Sequence, residues 1–206
     1  MFNRESRKKN VLRASFTGAT CNLINTVLGF IYRTIFIRVL SSSYLGINGL
    51  FSNILQILSF ADLGISTAIV YRFYEPISKN DVTKVGRLMN FFKKVYNGVA
   101  SIILVAGLSL LPFLNQFIKE SSEIPSDINL QEVYLLFLFQ TLSSYLFVYK
   151  QTILSADQKQ YIVSLIQTCI TFLRYAFQVA ILLVTQKYIW ILVSNILLNI
   201  LLNLVF

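Results

Sequence analysis

The chain is predicted to be all-α, a polytopic transmembrane bundle of about six helices, and three features of the sequence say so. Of its 206 residues 55% are hydrophobic and only 13% charged, about half the charged share of an ordinary soluble domain. The apolar residues gather into stretches of roughly 14 to 24 residues with at most one charge each, against the ~20 that a helix needs to cross a bilayer. The charges themselves collect between those stretches. A net charge of +9 therefore belongs to loops flanking membrane spans, and nucleic acid is not expected as a partner.

The first span is expected near 15–37, preceded by Arg4, Arg7, Lys8, Lys9 and Arg13. No short apolar region with a small-residue cleavage site follows that basic start, so the span should remain in place. A second span, near 45–71, leads into a basic segment with Arg72, Lys79, Lys84, Arg87, Lys93 and Lys94. Within that segment Val82, Val85, Met89 and Phe92 recur at helical spacing opposite Lys84, Arg87 and Lys94. The pattern fits a short amphipathic helix lying on anionic membrane lipid, or a solvated basic loop. The third span is expected near 95–117, with Pro112 bending or ending it, while Pro76 and Pro125 fall in loops.

The loop from Lys119 to Glu132 then sets one lysine against Glu120, Glu123, Asp127 and Glu132. A fourth span near 133–149, a short loop marked by Lys150 and Lys159, and spans near 161–184 and 188–206 complete the chain. Basic loops stay inside. The N-terminus, the 72–94 segment and the 150–159 loop should thus face the cytoplasm, and the acidic loop should face out. Cys21 and Cys169 fall within spans, where they act as small apolar residues, and no disulfide is expected. Since the last span stops at Phe206 without an anchor, the chain reads as the first part of a longer protein or a degraded copy.

Polar residues inside these spans form stripes. On a helix advancing 100° per residue, Gly18, Asn22, Asn25, Thr26, Gly29 and Arg33 fall within roughly a third of the circumference of the first span. Asn48, Ser52, Gln56, Ser59, Asp62 and Ser66 cluster likewise on the second, and Ser164, Gln167, Thr171, Arg174 and Gln178 on the fifth. Weaker stripes run through Gln140, Ser143, Ser144 and Gln151, and through Asn195, Asn199 and Asn203. Such faces either surround an aqueous cavity or bind helices to one another by hydrogen bonds.

The charges narrow the choice, because an arginine or aspartate at a helix centre costs about 2.5–3.5 kcal/mol on insertion scales. Arg174 sits near the middle of its span, as a cavity group or a partner of Asp62. Arg33 is either a cavity group or an interfacial anchor, and Arg38 is an anchor. Asp62, the one acid within a span, is a proton or cation site or a counter-ion to an arginine. Two guanidinium groups against one carboxylate favour an anion. The planar guanidinium fork matches phosphate oxygens two at a time, so a large amphiphile bearing phosphate is the inferred ligand class. With no histidine in the chain, histidine metal centres, general bases and nucleophile triads are absent, and neither an enzyme nor a cofactor is expected.

The series Tyr32-Arg33-Thr34-Ile35-Phe36-Ile37-Arg38, Tyr44-Leu45-Gly46-Ile47-Asn48-Gly49-Leu50-Phe51, Ser59-Phe60-Ala61-Asp62-Leu63-Gly64-Ile65 and Tyr74-Glu75-Pro76 resembles the N-terminal part of bacterial polysaccharide flippases. These are the Wzx-like members of the polysaccharide transporter family. The resemblance implies one six-helix lobe of the two-lobe, MATE-like flippase fold, the other lobe being a missing C-terminal half or a second copy. It further implies alternating-access transport of undecaprenyl-diphosphate-linked oligosaccharide across the bacterial cytoplasmic membrane for capsule, O-antigen or other surface polysaccharide. Substrate contacts are then expected at Arg33, Arg174, Asn22, Asn25 and Gln178, with ion coupling at Asp62. A MATE-type drug or cation exporter and a non-transporting membrane subunit or pseudogene product are the alternatives.

Overall fold

A computed structural model of the chain describes residues 4–59, 65–114, 116, 125, 127–145 and 160–205. Among the described residues it is all-helical, with no strand: α1 is Arg4–Val39, α2 Ser42–Leu58, α3 Ile65–Ser78, α4 Val82–Leu110, α5 Leu130–Tyr145, α6 Gln160–Thr185 and α7 Tyr188–Val205. Three stretches of the described residues are long and apolar enough to cross a membrane, namely Ser15–Val39, Val82–Phe113 and Tyr161–Thr185. They expose large apolar side chains outward, among them Phe16 and Leu23 of α1, Ile102 and Val105 of α4, and Leu173 and Val184 of α6. That outer surface suits lipid rather than water.

Residue pairs give the course of the chain. Asn25 meets Thr168 and Tyr32 meets Tyr175, so α1 and α6 run parallel. Gly107 meets Tyr134 and Tyr96 meets Tyr145, so α4 and α5 run antiparallel. Tight turns reverse the chain between α1 and α2 at Ser41 (φ 124°) and between α6 and α7 at Gln186 (φ 50°). The core follows from this alternation. Phe51 of α2 packs edge-on against Tyr134 and Phe137 of α5, with ring centroids 5.4 and 5.8 Å apart, and Tyr188 of α7 lies against Phe36 and Tyr44.

Two sequence-based expectations change. The apolar residues of the 82–94 segment form neither a separate short helix nor a loop. They open α4, a continuous helix of 29 residues, about 44 Å long at 1.5 Å per residue. Most of its stripe is covered within the fold: Phe92 is buried against Phe73 of α3 at 5.6 Å, and Val85 and Met89 pack on the core, while Val82 at the helix start is exposed. Asp81 caps the helix by accepting from the Lys84 amide at 2.9 Å, which fixes its start well before residue 95, where the span is expected from the sequence.

Pro76 is helical rather than in a loop. It stands in the last turn of α3, where few backbone bonds depend on its missing N–H, and its carbonyl accepts from the Asp81 amide at 2.9 Å. The residues of the expected second span include α2, which has 17 residues, and the start of α3, with residues 60–64 outside the described part. At the end of α2 the Ser59 hydroxyl donates to the Leu55 carbonyl at 2.8 Å, a side-chain bond of the kind that bends helices. Pro112 acts as expected: the α-helical part of α4 ends at Leu110 and a 3-10 turn, Leu111–Phe113, follows.

Candidate functional site

A cavity of about 570 Å³ opens where α1 and α6 face each other, with α2, α5 and α7 closing it. Its size is that of a small-molecule site. From α1 come Asn25, Gly29 and Arg33, spaced by four so that they stack on one face, with Thr26 beside them. Across from them α6 presents Arg174, Tyr175 and Gln178. Asn48 and Ser52 of α2, Gln140 of α5 and Asn195 of α7 add the polar groups of the remaining wall. The polar stripes of five helices thus converge on one space, where the sequence made a case for three.

Several of these polar groups, and others beyond the cavity, hold helices together. Gln178, 1% exposed, donates its amide to Asn195 Oδ1, which ties α6 to α7. The Tyr188 hydroxyl donates to Asn48 Oδ1 at 2.8 Å, and Asn199 Nδ2 to the Ser143 hydroxyl at 3.3 Å. Asn25 Nδ2 donates to Thr168 Oγ1 at 3.3 Å. These bonds are the interhelical kind that lets polar side chains live in a bilayer.

Two atoms fall outside that scheme. Among the described residues, the buried side-chain nitrogens and oxygens without a hydrogen-bond partner are Asn25 Oδ1 and Arg174 Nε, and both residues line the cavity. An unsatisfied buried polar group costs about 1–3 kcal/mol. No Asp or Glu lines the cavity among the described residues, and within them neither Arg33 nor Arg174 has an ion-pair partner. The result is a positive, half-enclosed space that lacks an acceptor for Arg174 and a donor for Asn25. A phosphate beside a hydroxyl supplies both.

Of the expected site residues, Arg33, Arg174, Asn25 and Gln178 line this one cavity. Asn22 does not. It shares their angular stripe but stands a turn nearer the N-terminus, beyond the end of the cavity, exposed and with its carbonyl accepting from the Thr26 hydroxyl at 2.8 Å. Asp62 lies outside the described residues, as do Gln151, Lys150 and Lys159.

The stripes gave no weight to the aromatic residues. Tyr32 and Tyr175 stack across the cavity wall, centroids 4.8 Å apart and planes 18° apart, and Phe30, Phe36 and Phe137 line it too. Their signal was present in the sequence: each tyrosine of the stack is the chain neighbour of a cavity arginine, in Tyr32-Arg33 and Arg174-Tyr175.

A small network adjoins Asn48 of the cavity wall. Tyr44 donates its hydroxyl to Asp127 at 2.5 Å, which ties the segment before α5 to the start of α2, and its ring packs on Tyr188. Burial, then the bond to Asp127 and its negative charge, push the Tyr44 phenol up to about 12, so it keeps its proton at neutral pH and remains a donor. Chain segments 40–44, 127–130 and 186–187 meet here, whereas Lys79, Lys84 and Arg87 cluster where α3 turns into α4. Compared with known proteins, the chain matches no family model, no curated protein and no solved structure.

Proposed function

We propose that this chain is a lobe of a membrane flippase for lipid-linked oligosaccharide, with the phosphate end of the ligand held between Arg33 and Arg174. The observation that carries this reading is a membrane-type cavity lined by two arginines and, among the described residues, by no carboxylate. Guanidinium pairs phosphate through two parallel bonds, and in a low-dielectric space that pairing is worth more than in water. The aromatic rings and the Asn25 carbonyl suit a sugar, whose hydroxyls donate and whose faces stack.

Alternating access needs two lobes that rock around a site between them, and a second lobe or a second copy would supply the other wall. Six spans, the MATE-like arrangement, a bacterial inner-membrane location and a cytoplasmic N-terminus belong to the same proposal. Asp62 is its ion-coupling candidate, and the basic residues at the start of α4 are its contact with anionic headgroups. A drug or cation exporter fits less well, since an organic cation would meet two guanidinium groups in the cavity.

The test is complementation of a flippase-deficient bacterium by this chain, alone and followed by its downstream coding sequence. Rescue of surface polysaccharide that is lost in Arg33→Ala and Arg174→Ala at equal expression supports the reading. Wild-type polymer in both arginine variants overturns it. Arg→Lys at each position separates bare charge from the two-bond geometry.

A further inference from the structure

Asn48 of α2 lines the cavity with an amide whose two ends have different surroundings. Its Oδ1 accepts from the Tyr188 hydroxyl at 2.8 Å. Tyr188 begins α7 and is buried between the rings of Phe36 of α1 and Tyr44 of α2, with centroids 6.2 and 5.1 Å away. A hydroxyl buried among rings needs an acceptor for its proton, and the neighbouring Tyr44 hydroxyl is itself turned to Asp127. Tyr188 therefore holds the amide oxygen on the packed side. The Asn48 nitrogen, with its two N–H groups, is the end left for the cavity, and among the described residues it has no hydrogen-bond partner and is not sealed off.

This amide stands at the depth of the arginines. Arg33 lies six residues before Val39, the end of α1, and Asn48 six residues after Ser42, the start of α2, so each is about 9 Å along its helix from the reversal at Ser41. Arg174 adjoins Tyr175, which stacks on Tyr32, the chain neighbour of Arg33. Donor groups from α1, α2 and α6 thus reach one level of the cavity.

We propose that Asn48 is a third anion-binding residue, donating through Nδ2 to the same phosphate as Arg33 and Arg174, and that Tyr188 is its positioning residue. This rests on the phosphate site proposed above. An unheld amide can turn either end to the cavity, and its oxygen end would repel an anion. With the Tyr188 proton on that oxygen, the amide meets an anion donor first and needs no reorientation when the ligand arrives. The third donor is not redundant, because a diphosphate carries more acceptor oxygens than two guanidinium forks occupy.

The experiment measures binding of polyprenyl diphosphate and of uncharged polyprenol to the chain in lipid nanodiscs, with thermal unfolding of each variant in parallel. The readout is the preference for diphosphate over alcohol, which a loss of packing alone does not move. Tyr188→Phe keeps the ring between Phe36 and Tyr44 and should reduce the preference about threefold. Asn48→Leu should reduce it about tenfold, as expected for loss of a hydrogen bond to a charged group. Asn48→Asp keeps an acceptor for Tyr188 but puts a carboxylate oxygen in place of the N–H groups, and should abolish the preference. Tyr188→Phe added to Asn48→Leu should cost nothing further, since Tyr188 acts through Asn48. A wild-type preference in Tyr188→Phe, Asn48→Leu or Asn48→Asp would overturn the proposal, as would a Tyr188→Phe loss undiminished in the Asn48→Leu background, and in each case a loss in Arg174→Gln leaves the phosphate site standing. A wild-type protein without the preference, or a preference that survives both Arg33→Gln and Arg174→Gln, would overturn the phosphate site and this proposal with it.

Discussion

Where α4 meets α5, Gly107 admits Leu138 so closely that a methyl group in its place would lie 2.5 Å from Leu138 Cδ1, and the Tyr134 hydroxyl donates to the Gly107 carbonyl at 2.9 Å. Where α1 meets α6, the same substitution at Gly29 would find its nearest neighbour, the Tyr175 hydroxyl, at 3.5 Å, and a cavity of about 570 Å³ opens alongside. Both seams use a glycine facing a tyrosine from the partner helix. One is packed shut with its polar groups paired, and the other is held open with Arg174 Nε and Asn25 Oδ1 unpaired. This difference between two seams of one fold is what the proposed ligand site rests on.

The sharpest way to break the contrast is to spoil the closed seam. Gly107→Ala forces Leu138, 2% exposed, out of its position and should lower stability by about 1–3 kcal/mol, the usual cost of overpacking. Its check is thermal unfolding in detergent. Gly29→Ala, placed at ordinary contact distance, should leave the midpoint nearly unchanged. Equal losses at both glycines would remove the distinction between the seams.

The open seam should respond in the opposite sense. Arg174→Met removes a cation with a buried, unpaired nitrogen and should raise stability by about 1 kcal/mol or more while abolishing phosphate-dependent binding. A destabilised Arg174→Met protein would mean that the guanidinium is held by a partner, with Asp62 the first candidate.

The smallest effect concerns the exposed cluster at the α3–α4 turn. Glu75 is held below its ordinary value of 4.5, first by the hydrogen bond from Lys79 at 2.8 Å and then by the charges of Lys79 and Lys84. Lys79 is correspondingly raised above 10.5 by Glu75. A lowered carboxyl contributes fully above 4.5 and loses its contribution as pH falls below that value. The raised amine contributes below 10.5 and loses it as pH climbs further. Stability should therefore be weakly flat-topped between these limits, and Glu75→Gln should remove the shallow decline on the acid side, as read by unfolding at pH 7 and pH 4.

Much of this was legible in the sequence. Asn25, Arg33, Arg174 and Gln178 could be placed on shared faces because a single period of 3.6 residues governs each span, and a helix in lipid turns its few polar groups inward. The end of the site was not legible, since helical period fixes angle and says nothing of depth, and Asn22 has the right angle at the wrong level. The division of labour among the polar residues was hidden for a related reason. Gln178 and Asn195 are 17 positions apart, and only the reversal at Gln186 brings them together as structural partners. The start of α4 was misjudged because Val85, Met89 and Phe92 suit a lipid surface and a neighbouring helix equally well, and α3 supplies the neighbour. Tyr32 and Tyr175 belong to none of the polar stripes, although each adjoins an arginine.

The central claim is that the cavity between α1 and α6 completes itself with a phosphate. Its most direct test is a binding titration of polyprenyl diphosphate and of the uncharged polyprenol against the chain in nanodiscs, for the wild type, Arg33→Gln, Arg174→Gln and Arg174→Lys. The diphosphate should bind the wild type far more tightly than the alcohol, each Gln variant should lose about tenfold or more, and Arg174→Lys should recover only part of it. Equal affinity for the alcohol and the diphosphate, or affinity unchanged in both Gln variants, would contradict the account.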